Sequence, residues 1–342
     1  MNLLCYNCRG LGNNSAVVRL GKLLRREAAD VVVLIETKLS GFEMEGIRDR
    51  IRQFEGVYAD SNGRSAGLAI LWKEGISVEV ISSTSHHLDV KIKGLFGERE
   101  WRLTGFYGWA DTEEKRLSWQ LLRDIKGYSN LPWLVIGDFN QILFEEEKRG
   151  SAPRSQRDMD DFREALDDCG LKDIGYLGDT FTWWNKREEP GDVFERLDRA
   201  VATMEWIDLF PLCALSHLQR DKSDHLPIKL STRKPASKKK GRRFRFEDLW
   251  VSSSECEDVV RDAWSVESYG YEEGSLLDKL RGCCNKLQRW SRKCFGDIQG
   301  RIEETRQLLS FLDSCAPTAD MVKERKEVCA KLDELVLAEE AY

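Results

Sequence analysis

The 342-residue sequence lacks several features that would place it in a simple class. It has no apolar run of about 18 residues or more, which argues against a membrane-spanning helix. Its N-terminus, Met1-Asn-Leu-Leu-Cys-Tyr6, lacks the basic segment and the long apolar stretch of a signal peptide. It contains no internal repeat and no extended low-complexity tract. With 41% hydrophobic and 33% charged residues, the composition is that of a soluble, globular protein with a sizeable core, and the length suggests about two domains.

Histidine is scarce, with only four residues, and the ten cysteines follow no metal-binding spacing. Cys5 and Cys8 form a CxxC pair that has no second CxxC partner. This pattern argues against a structural zinc site and against a disulfide framework. We therefore interpret the cysteines as reduced, mostly buried residues of an intracellular protein.

The net charge of −6 is unevenly distributed along the chain. Residues 233–246 (RKPASKKKGRRFRF) carry eight basic residues and no acidic one. This segment is a plausible linker, and two interpretations of it stay open: a solvated connection, or a contact with DNA phosphates or a nuclear localisation signal. Residues 247–342 are rich in helix formers, and Gly296 and Pro317 separate three predicted helices. We expect an α-helical extension there.

Residues 1–232 alternate short β-rich runs with helical patterns, which suggests a two-layered β core flanked by helices. The patterns predict strands at 2–6, 31–35, 67–72, 76–82, 88–92, 101–107, 133–140 and 226–230, with extended pieces at 181–184 and 196–198. They predict helices at 15–27, 42–54, 113–125 and 158–169 and near Met204.

Polar side chains end or adjoin four of the predicted apolar strands. They are Asn7, Glu36, Asp138, Asn140, Asp224 and His225. A continuous apolar run is typical of a strand buried on both faces, and polar groups just past its end can gather at one rim of a sheet. Asp138 and Asn140 would face the same way in an extended strand, so that both could touch one water or phosphate oxygen.

Each of these residues also has an ordinary structural interpretation. Glu36 could be a solvated carboxylate at a strand end, and Asp138 could belong to a turn. Independent turns and surface carboxylates should not reproduce one ordered pattern, so the joint pattern favours a functional site. Oxygen ligands suit a hard cation such as Mg²⁺, and His225 could donate to a phosphate oxygen. Asp198, in the sequence Glu-Arg-Leu-Asp-Arg, is a candidate to orient that histidine.

Six motifs occur in a fixed order along residues 1–232: Asn7, Glu36-Thr, Tyr107-Gly, Gly-Asp138-Phe-Asn140, Arg-Leu-Asp198 and Ser-Asp224-His225. As a set they resemble the endonuclease/exonuclease/phosphatase superfamily. Three longer motifs are similar to the apurinic-endonuclease-like domain of plant LINE-type non-LTR retrotransposons: Asn7-Cys-Arg-Gly-Leu-Gly12, Gly137-Asp-Phe-Asn-Gln-Ile-Leu143 followed by Glu147-Lys-Arg-Gly150, and Phe181-Thr-Trp183. The resemblance implies an α+β fold, a DNase I-like four-layered α/β/β/α sandwich followed by the helical extension.

The resemblance also implies a metal site. Glu36 would ligate Mg²⁺, with Mn²⁺ as the alternative metal. Asn7 would help to set the site and Asp224 would assist it. Arg9 departs from the family pattern, because apurinic endonucleases place an acidic residue two positions after the first Asn. This departure argues against a second metal ligand at that position and is compatible with a nicking role rather than a repair role.

The catalytic roles implied by the resemblance concern the other motif residues. Asp138 and Asn140 would position and deprotonate the attacking water. Tyr107 would contact the phosphate or its leaving group. His225, oriented by Asp198, would stabilise the charge that develops on the phosphorane. The expected reaction is hydrolysis of a DNA phosphodiester that leaves a 3′-hydroxyl, which primes reverse transcription in such elements.

The middle of the domain discriminates between branches of the superfamily. DNase I-like, sphingomyelinase-like and inositol-phosphatase-like members carry a second catalytic histidine there, whereas Gly105–Trp109 contains Tyr107 and no histidine. This favours the endonuclease branch over phosphomonoesterase or phospholipase action. We interpret His86 and His87, which lie upstream, as surface or turn residues.

The tail resembles the connector that precedes reverse transcriptase in these elements, through Phe244-Arg-Phe-Glu-Asp-Leu-Trp250 and Cys294-Phe-Gly-Asp-Ile298. The chain contains no Tyr/Phe-x-Asp-Asp polymerase signature, so we interpret it as a truncated element or a derived gene product. We expect DNA as the partner, no membrane contact, contacts with element RNA or proteins through the basic linker and tail, and an intracellular, nuclear location. The alternative is a catalytically silent nucleic-acid-binding or interaction protein left by decay of an element.

Overall fold

The computed structural model describes residues 1–62, 65–93, 99–150, 153–187, 191–219 and 223–232, followed by 254–264, most of 280–290, 298–314 and 319–340. The basic segment 233–246 and the connector-like motif at 244–250 lie outside the described residues. The chain divides into two units, residues 1–235 with 314–323 and residues 236–313 with 324–342. The boundaries expected from the sequence, 1–232, 233–246 and 247–342, stay a prediction.

Two mixed six-stranded sheets form the centre of the first unit. The first sheet has the strand order β14-β15-β1-β2-β4-β3. Its strands are β1 (Asn2–Asn7), β2 (Val31–Ile35), β3 (Phe54–Asn62), β4 (Ser65–Lys73), β14 (Ala214–His217) and β15 (Ile228–Ser231). Within this sheet β1 and β2 run parallel, and the other neighbours are antiparallel.

The second sheet has the strand order β10-β13-β8-β7-β6-β5. Its strands are β5 (Ser77–Thr84), β6 (His87–Lys93), β7 (Trp101–Tyr107), β8 (Trp133–Asp138), β10 (Lys172–Asp173) and β13 (Asp198–Ala202). Here β7 and β8 form the parallel pair. A small third sheet joins β9 (Lys148–Arg149), β11 (Trp183–Trp184) and β12 (Phe194–Glu195).

Helices cover the outer faces of the two large sheets. They are α1 (Asn14–Arg26), α2 (Gly41–Ile51), α3 (Lys115–Lys126) and α4 (Gln156–Cys169), whereas the short α5 (Met204–Leu209) packs on the core between the sheets through Trp206 and Ile207. The first two begin at side-chain caps: Asn13 accepts a hydrogen bond from the backbone of Ser15, and Ser40 forms a capping box with Glu43. Such caps satisfy backbone N–H groups that have no partner within the helix.

Alternate residues along a strand point to opposite sides of a sheet. In the central strands both sets are apolar, so both faces of each large sheet are apolar. The two inner faces form one core through residues such as Leu3, Val33, Ile70, Val90, Leu103 and Ile136. The outer face of the first sheet packs on α1 and α2 through residues such as Leu4, Val32, Leu20 and Met44. The outer face of the second packs on α3 and α4 through residues such as Phe106, Val135, Trp119 and Phe162. The predicted α+β fold, a four-layered α/β/β/α sandwich, is confirmed.

Two glycines allow close approach of backbones near the ends of the central strands. A Cβ atom at Gly105, in β7, would lie 2.8 Å from Cγ1 of Val33, which belongs to the opposite sheet. A Cβ atom at Gly137, in β8, would lie 1.9 Å from the carbonyl oxygen of Phe106 in the neighbouring strand. Neither distance is tolerated in a packed core, so the missing side chain of Gly105 lets the two sheets approach, and that of Gly137 lets β8 pair with β7.

The sequence patterns missed β3 and β14, which are the two edge strands of the first sheet. β3 carries the polar residues Glu55, Asp60 and Ser61, and β14 has only four residues. An edge strand has a single partner and a partly solvated surface, so it does not show the continuous apolar run of a central strand. For the same reason the predicted helix 42–54 is too long, since α2 ends at Ile51 and β3 begins three residues later.

The described part of the second unit is helical, as expected. It contains α6 (Ser254–Trp264), which the sequence patterns missed, and most of α7 (Ile298–Ser314) and α8 (Ala319–Glu340). Cys256, Ala263, Cys283 and Leu287 share an apolar cluster.

The described cysteines, Cys5 and Cys8 among them, carry free thiols. None of the described helices combines the length and the apolar composition that a membrane span requires.

Candidate active site

The strand pairing brings the predicted site residues to one rim of the sandwich. Asn7 ends β1, and the parallel neighbour β2 ends one position before Glu36. Tyr107 lies opposite Asp138 at the ends of the parallel strands β7 and β8. Asp198, at the start of antiparallel β13, lies opposite Asp138 on its other side. All of these positions follow from the register of the strands.

The fully buried amide of Asn7 connects the two sheets at this rim. Its Nδ2 donates hydrogen bonds to Oε1 of Glu36 at 3.1 Å and to Oδ2 of Asp138 at 2.9 Å. Its backbone carbonyl accepts from the hydroxyl of Ser223 at 2.9 Å. Because an amide nitrogen carries two hydrogens, one side chain fixes a carboxylate from each sheet.

His225 lies between two buried carboxylates. Its Nδ1 is 2.9 Å from Oδ2 of Asp198, and its Nε2 is 3.8 Å from Oδ2 of Asp138. Burial alone would lower the pKa of His225, but the charges of Asp198 and Asp138 outweigh it and raise the pKa to about 9. Burial also raises the pKa of Asp138, while the charge of His225 opposes that rise. At neutral pH an imidazolium therefore stands beside a carboxylate that is more basic than an ordinary aspartate, an arrangement suited to proton transfer.

A second cluster of charges lies around Glu36. Nη1 of Arg9 donates a hydrogen bond to Oδ2 of Asp224, and Nε of Arg9 is 3.7 Å from Oε2 of Glu36. Nζ of Lys38 is 3.5 Å from the same oxygen of Glu36. The indole Nε1 of Trp183 donates to Oδ2 of Asp224 at 3.0 Å. One guanidinium group thus contacts both carboxylates that the sequence assigned to a metal site.

Both of these carboxylates are held in the charged form. Burial alone would raise the pKa of Glu36, but the hydrogen bond from Asn7 and the charges of Arg9 and Lys38 lower it. Burial would likewise raise the pKa of Asp224, and the charges of His225 and Arg9 lower it. Charged carboxylate oxygens are the donors that a hard divalent cation requires.

Two sets of side chains at the rim could hold a divalent cation. Asp138, Asp198 and His225 each offer a ligand atom, and these atoms lie within 4.8 Å of one another. Nδ1 of this histidine is already paired with Asp198, so the set fits a histidine–carboxylate proton relay better than a Mg²⁺ site, which prefers oxygen ligands. Glu36 and Asp224 fit Mg²⁺ by donor type, once the nitrogen groups that contact them have moved aside.

Asn140 does not continue the strand, so the prediction that it and Asp138 share one face of an extended strand is wrong. β8 ends at Asp138, and Asn140 has φ of +52° in the turn that follows. Its backbone N–H donates to Oδ1 of Asp138 at 2.9 Å, and its Nδ2 donates to the carbonyl of Gly108 at 2.8 Å. Asparagine tolerates the left-handed conformation better than most residues. The turn still places Asn140 beside the carboxylate.

Tyr107 is buried at the rim, and its phenol stays protonated. Burial, and then the charges of Glu36 and Asp138, raise its pKa well above the usual value. His86 is half-buried in a turn, with Nδ1 2.8 Å from the carbonyl oxygen of Tyr107 and its ring stacked 3.5 Å from that of Trp109.

His87 is not a surface residue, contrary to the sequence interpretation. It begins β6, is 2% exposed, and contacts the hydroxyls of Ser82 and Thr84 at 2.9 Å. These contacts give it a structural role inside the second sheet.

Backbone strain concentrates at the rim. Of the nine non-glycine residues with positive φ in the described part of the chain, four lie here: Arg9, Glu36, Lys38 and Asn140. Such conformations cost about 1 kcal/mol or more for residues with a Cβ atom, and they persist where the surrounding contacts hold them.

All eight residues selected from the sequence lie at this rim: Asn7, Glu36, Tyr107, Asp138, Asn140, Asp198, Asp224 and His225. Sequence reasoning missed the residues that hold them in place. Thr182 accepts hydrogen bonds from the backbone of Leu197 and Asp198, and Lys115 donates to the carbonyl of Asn140 at 3.0 Å. Burial lowers the pKa of Lys115 to about 8. Ser223 and Thr182 had a signal, since they belong to the motifs Ser-Asp224-His225 and Phe181-Thr-Trp183, whereas Lys115 had none.

The chain thus combines two packed six-stranded sheets with a buried histidine–carboxylate pair at the ends of their strands. A model of the Endonuclease/Exonuclease/phosphatase family matches residues 2–225, and the chain belongs to this family. Its fold is therefore the DNase I-like fold expected from the resemblance. No curated protein matches the sequence significantly.

Solved structures are similar to this chain at the level of the fold. An AP endonuclease from Leishmania major is 16% identical with a TM-score of 0.55, over 68% of this chain and 88% of that one. The endonuclease domain of TRAS1, a telomere-specific non-LTR retrotransposon, is 17% identical with a TM-score of 0.51, over 68% and 99%. A 3′ phosphatase from Neisseria, bound to a product DNA hairpin, is 17% identical with a TM-score of 0.50, over 68% and 98%.

Proposed function

We propose that this chain is a Mg²⁺-dependent DNA endonuclease that hydrolyses a phosphodiester to leave a 3′-hydroxyl, of the target-nicking type found in retrotransposons. The observation that carries the proposal is the buried arrangement in which His225 lies between Asp198 and Asp138. The amide of Asn7 links this arrangement to Glu36. A charged imidazole, a carboxylate of raised pKa and a separate oxygen site are the parts that phosphodiester hydrolysis needs.

Asp138 accepts a proton from the attacking water. Its oxygens each already accept one hydrogen bond, from Asn140 and from Asn7, and each keeps a lone pair for the water. The water oxygen bonds to phosphorus as the bond from phosphorus to the 3′ oxygen breaks, and the 3′ oxygen takes a proton to become a hydroxyl. Burial and nearby carboxylates keep Tyr107 protonated, so it can donate to the phosphate or to the leaving oxygen.

His225 stabilises the negative charge that develops on the phosphate. Its Nδ1 is fixed by Asp198, and 3.8 Å is too long for a hydrogen bond from its Nε2 to Asp138. The Nε2 proton is therefore directed to a third group, which we assign as a non-bridging phosphate oxygen. A divalent cation held by Glu36 and Asp224, with Asn7 beside them, would neutralise the phosphate charge.

DNA is the substrate that the comparisons favour. One similar structure is a retrotransposon endonuclease domain, and another was solved with a DNA hairpin. Tyr107 stands where lipid and inositol phosphatases of the family use histidine, which supports the same choice. The affiliation with plant LINE elements rests on the sequence motifs. The nuclear location and the contacts with element RNA or proteins through the basic linker and tail stay predictions.

Nicking of supercoiled plasmid tests the proposal. We expect nicked circles with Mg²⁺ and none with EDTA, and a loss of at least about 100-fold for Asp138→Ala and for His225→Ala, since each removes a proton-transfer group. Asp208→Ala is a matched control, because Asp208 is an exposed residue of α5, beyond the opposite end of β13. Extension of the nick by a DNA polymerase without phosphatase treatment reports the 3′-hydroxyl. Nicking that survives both active-site substitutions would falsify the assignment.

The contacts of Arg9 favour a second candidate, a DNA-binding protein without turnover. A guanidinium placed against both Glu36 and Asp224 could keep a cation from these carboxylates permanently. This candidate predicts that the chain retards a DNA duplex in a gel and leaves the plasmid intact. Metal-dependent nicking by the unaltered chain rules it out.

A further inference from the structure

Arg9 lies where a divalent cation would have to bind. Its guanidinium contacts Asp224 through Nη1 and approaches Glu36 through Nε at 3.7 Å. Lys38 approaches the same oxygen of Glu36 at 3.5 Å. Arg9 and Lys38 together carry two positive charges, which equals the charge of one Mg²⁺ ion. The two carboxylates are thus already neutralised by the chain itself.

The hydrogen-bonding capacity of these carboxylates is also largely engaged. Oε1 of Glu36 accepts from Asn7, and its Oε2 faces both cations. Oδ2 of Asp224 accepts from Arg9 and from Trp183. Mg²⁺ demands near-octahedral oxygen coordination, and the oxygens that it would use face Arg9 and Lys38 at hydrogen-bond or ion-pair distance. The cation can bind only if Arg9 withdraws.

The backbone directs Arg9 into this position, and an adjacent cavity gives it space to leave. Its φ is +47°, and its N–H donates to Oδ1 of Asn7 at 3.2 Å. Its side chain is 46% exposed and borders a cavity of about 420 Å³, whose lining also includes Arg19 and Lys186. A half-exposed side chain beside a cavity can change rotamer without unfolding the core.

We propose that Arg9 is a built-in competitor that sets the affinity of the rim for a divalent cation. In the cation-free chain it pairs with Glu36 and Asp224, and a metal ion binds by displacing it. The inference rests on the proposed metal-dependent function for the identity of the site. Its direct consequence, tighter metal binding when Arg9 is removed, is measurable without catalysis.

Binding of Mn²⁺ to the full chain, followed by electron paramagnetic resonance or calorimetry, tests this. We expect Arg9→Gln to bind Mn²⁺ at least about tenfold more tightly than the unaltered chain, since a unit charge at contact distance opposes the ion. Arg19→Gln is the matched control: it removes the same charge from the lining of the same cavity and should leave the affinity unchanged. Adding Glu36→Gln to Arg9→Gln should abolish the gain.

Arg9→Lys keeps the charge but loses the planar group that spans both carboxylates. It should give an intermediate Mn²⁺ affinity, and circular dichroism checks that every variant is folded. Equal or weaker binding by a folded Arg9→Gln variant, or an equal gain in Arg19→Gln, would overturn the proposal. Should Arg9→Gln not fold, Arg9→Lys decides, and an affinity unchanged from the unaltered chain counts against the inference.

Plasmid nicking by the unaltered chain separates this inference from the proposed function. Tighter Mn²⁺ binding by Arg9→Gln without nicking by any variant would refute the nuclease and uphold the competitor. Nicking by the unaltered chain, with an unchanged Mn²⁺ affinity in Arg9→Gln, would support the nuclease and refute the competitor.

Discussion

Replacing Asp198 by asparagine should lower the pKa of His225, so that its imidazole loses its positive charge near neutral pH. The substitution preserves the size of the side chain and the hydrogen bond that the backbone N–H of residue 198 donates to the hydroxyl oxygen of Thr182. It removes the charge that raises the pKa of His225 most strongly. Without this charge the effect of burial, which lowers the pKa, is no longer offset. The pKa of His225 should therefore fall toward or below the ordinary value of about 6.5.

The size of the effect follows from the two pKa values. With a pKa of about 9, His225 is about 97% protonated at pH 7.5, whereas a pKa of about 6.5 leaves about one tenth protonated. The difference of about 2.5 units corresponds to about 3 kcal/mol of differential interaction. The protonation change alone should therefore lower the nicking rate at pH 7.5 by about tenfold, and activity should recover toward acidic pH.

The titration can be observed directly, because the chain has only four histidines. Correlated proton–nitrogen spectra of the cation-free chain between pH 5 and 10 should show one imidazole with a midpoint near 9, absent from His225→Gln. In Asp198→Asn the same signal should shift to a midpoint at or below about 6.5. His217 is an internal reference whose signal should stay that of a neutral imidazole over this pH range, since burial lowers its pKa to about 4.

A midpoint near 6.5 for His225 in the unaltered chain would refute the prediction, because the two carboxylates would then not outweigh burial. A midpoint that stays near 9 in Asp198→Asn would refute it as well. A loss of nicking without any movement of the pH profile would assign Asp198 to holding the fold rather than to the charge of the imidazole.

Two further predictions concern packing and ion pairing within the second sheet. Gly137→Ala should lower the free energy of unfolding by about 2 kcal/mol or more in urea denaturation, because the added methyl would lie 1.9 Å from a backbone oxygen of the neighbouring strand. Arg102→Ala should cost about 3–5 kcal/mol, because it leaves the fully buried carboxylate of Asp89 without its ion pair at 2.7 Å.

Each packing prediction has an internal control. Gly46→Ala, on α2 with nothing within 4 Å of the new methyl, should be neutral or stabilising. Lys73→Ala breaks a partly exposed pair at 3.0 Å with Asp30 and should cost less than about 1 kcal/mol. If Gly46→Ala destabilised the chain as much as Gly137→Ala, packing would not explain the loss. If Lys73→Ala cost as much as Arg102→Ala, burial of an unpaired charge would not explain it.

The sequence was most informative about the central strands and their polar ends. Runs such as Val31–Ile35 have no polar interruption, and Glu36 and Asp138 stand where these runs stop. Parallel pairing of buried strands places the residues at their carboxyl ends side by side, as in β1 with β2 and β7 with β8. The same rule explains why β3 and β14 were missed, since edge strands lack the continuous apolar pattern.

Other features depend on tertiary contacts that no local pattern encodes. The turn at Asn140 is fixed by Gly108, which is 32 residues away. Lys38 was not selected as a site residue, and the structure places its Nζ 3.5 Å from Oε2 of Glu36. The departure at Arg9 was visible in the sequence, but its contact with Asp224, 215 residues away, was not.

The approach of the two sheets at Gly105 has a consequence for the chemistry. Two hydrogen bonds at the rim join the sheets, one from Asn7 to Asp138 and one between His225 and Asp198. Their lengths depend on how far apart the layers stand. A methyl group at Gly105 would press on Val33 in the dry interior and widen that gap. The geometry of the rim therefore depends on the distance between the sheets. Core substitutions that change this distance should alter the rate of DNA cleavage although they do not contact the substrate, even where overall stability hardly changes.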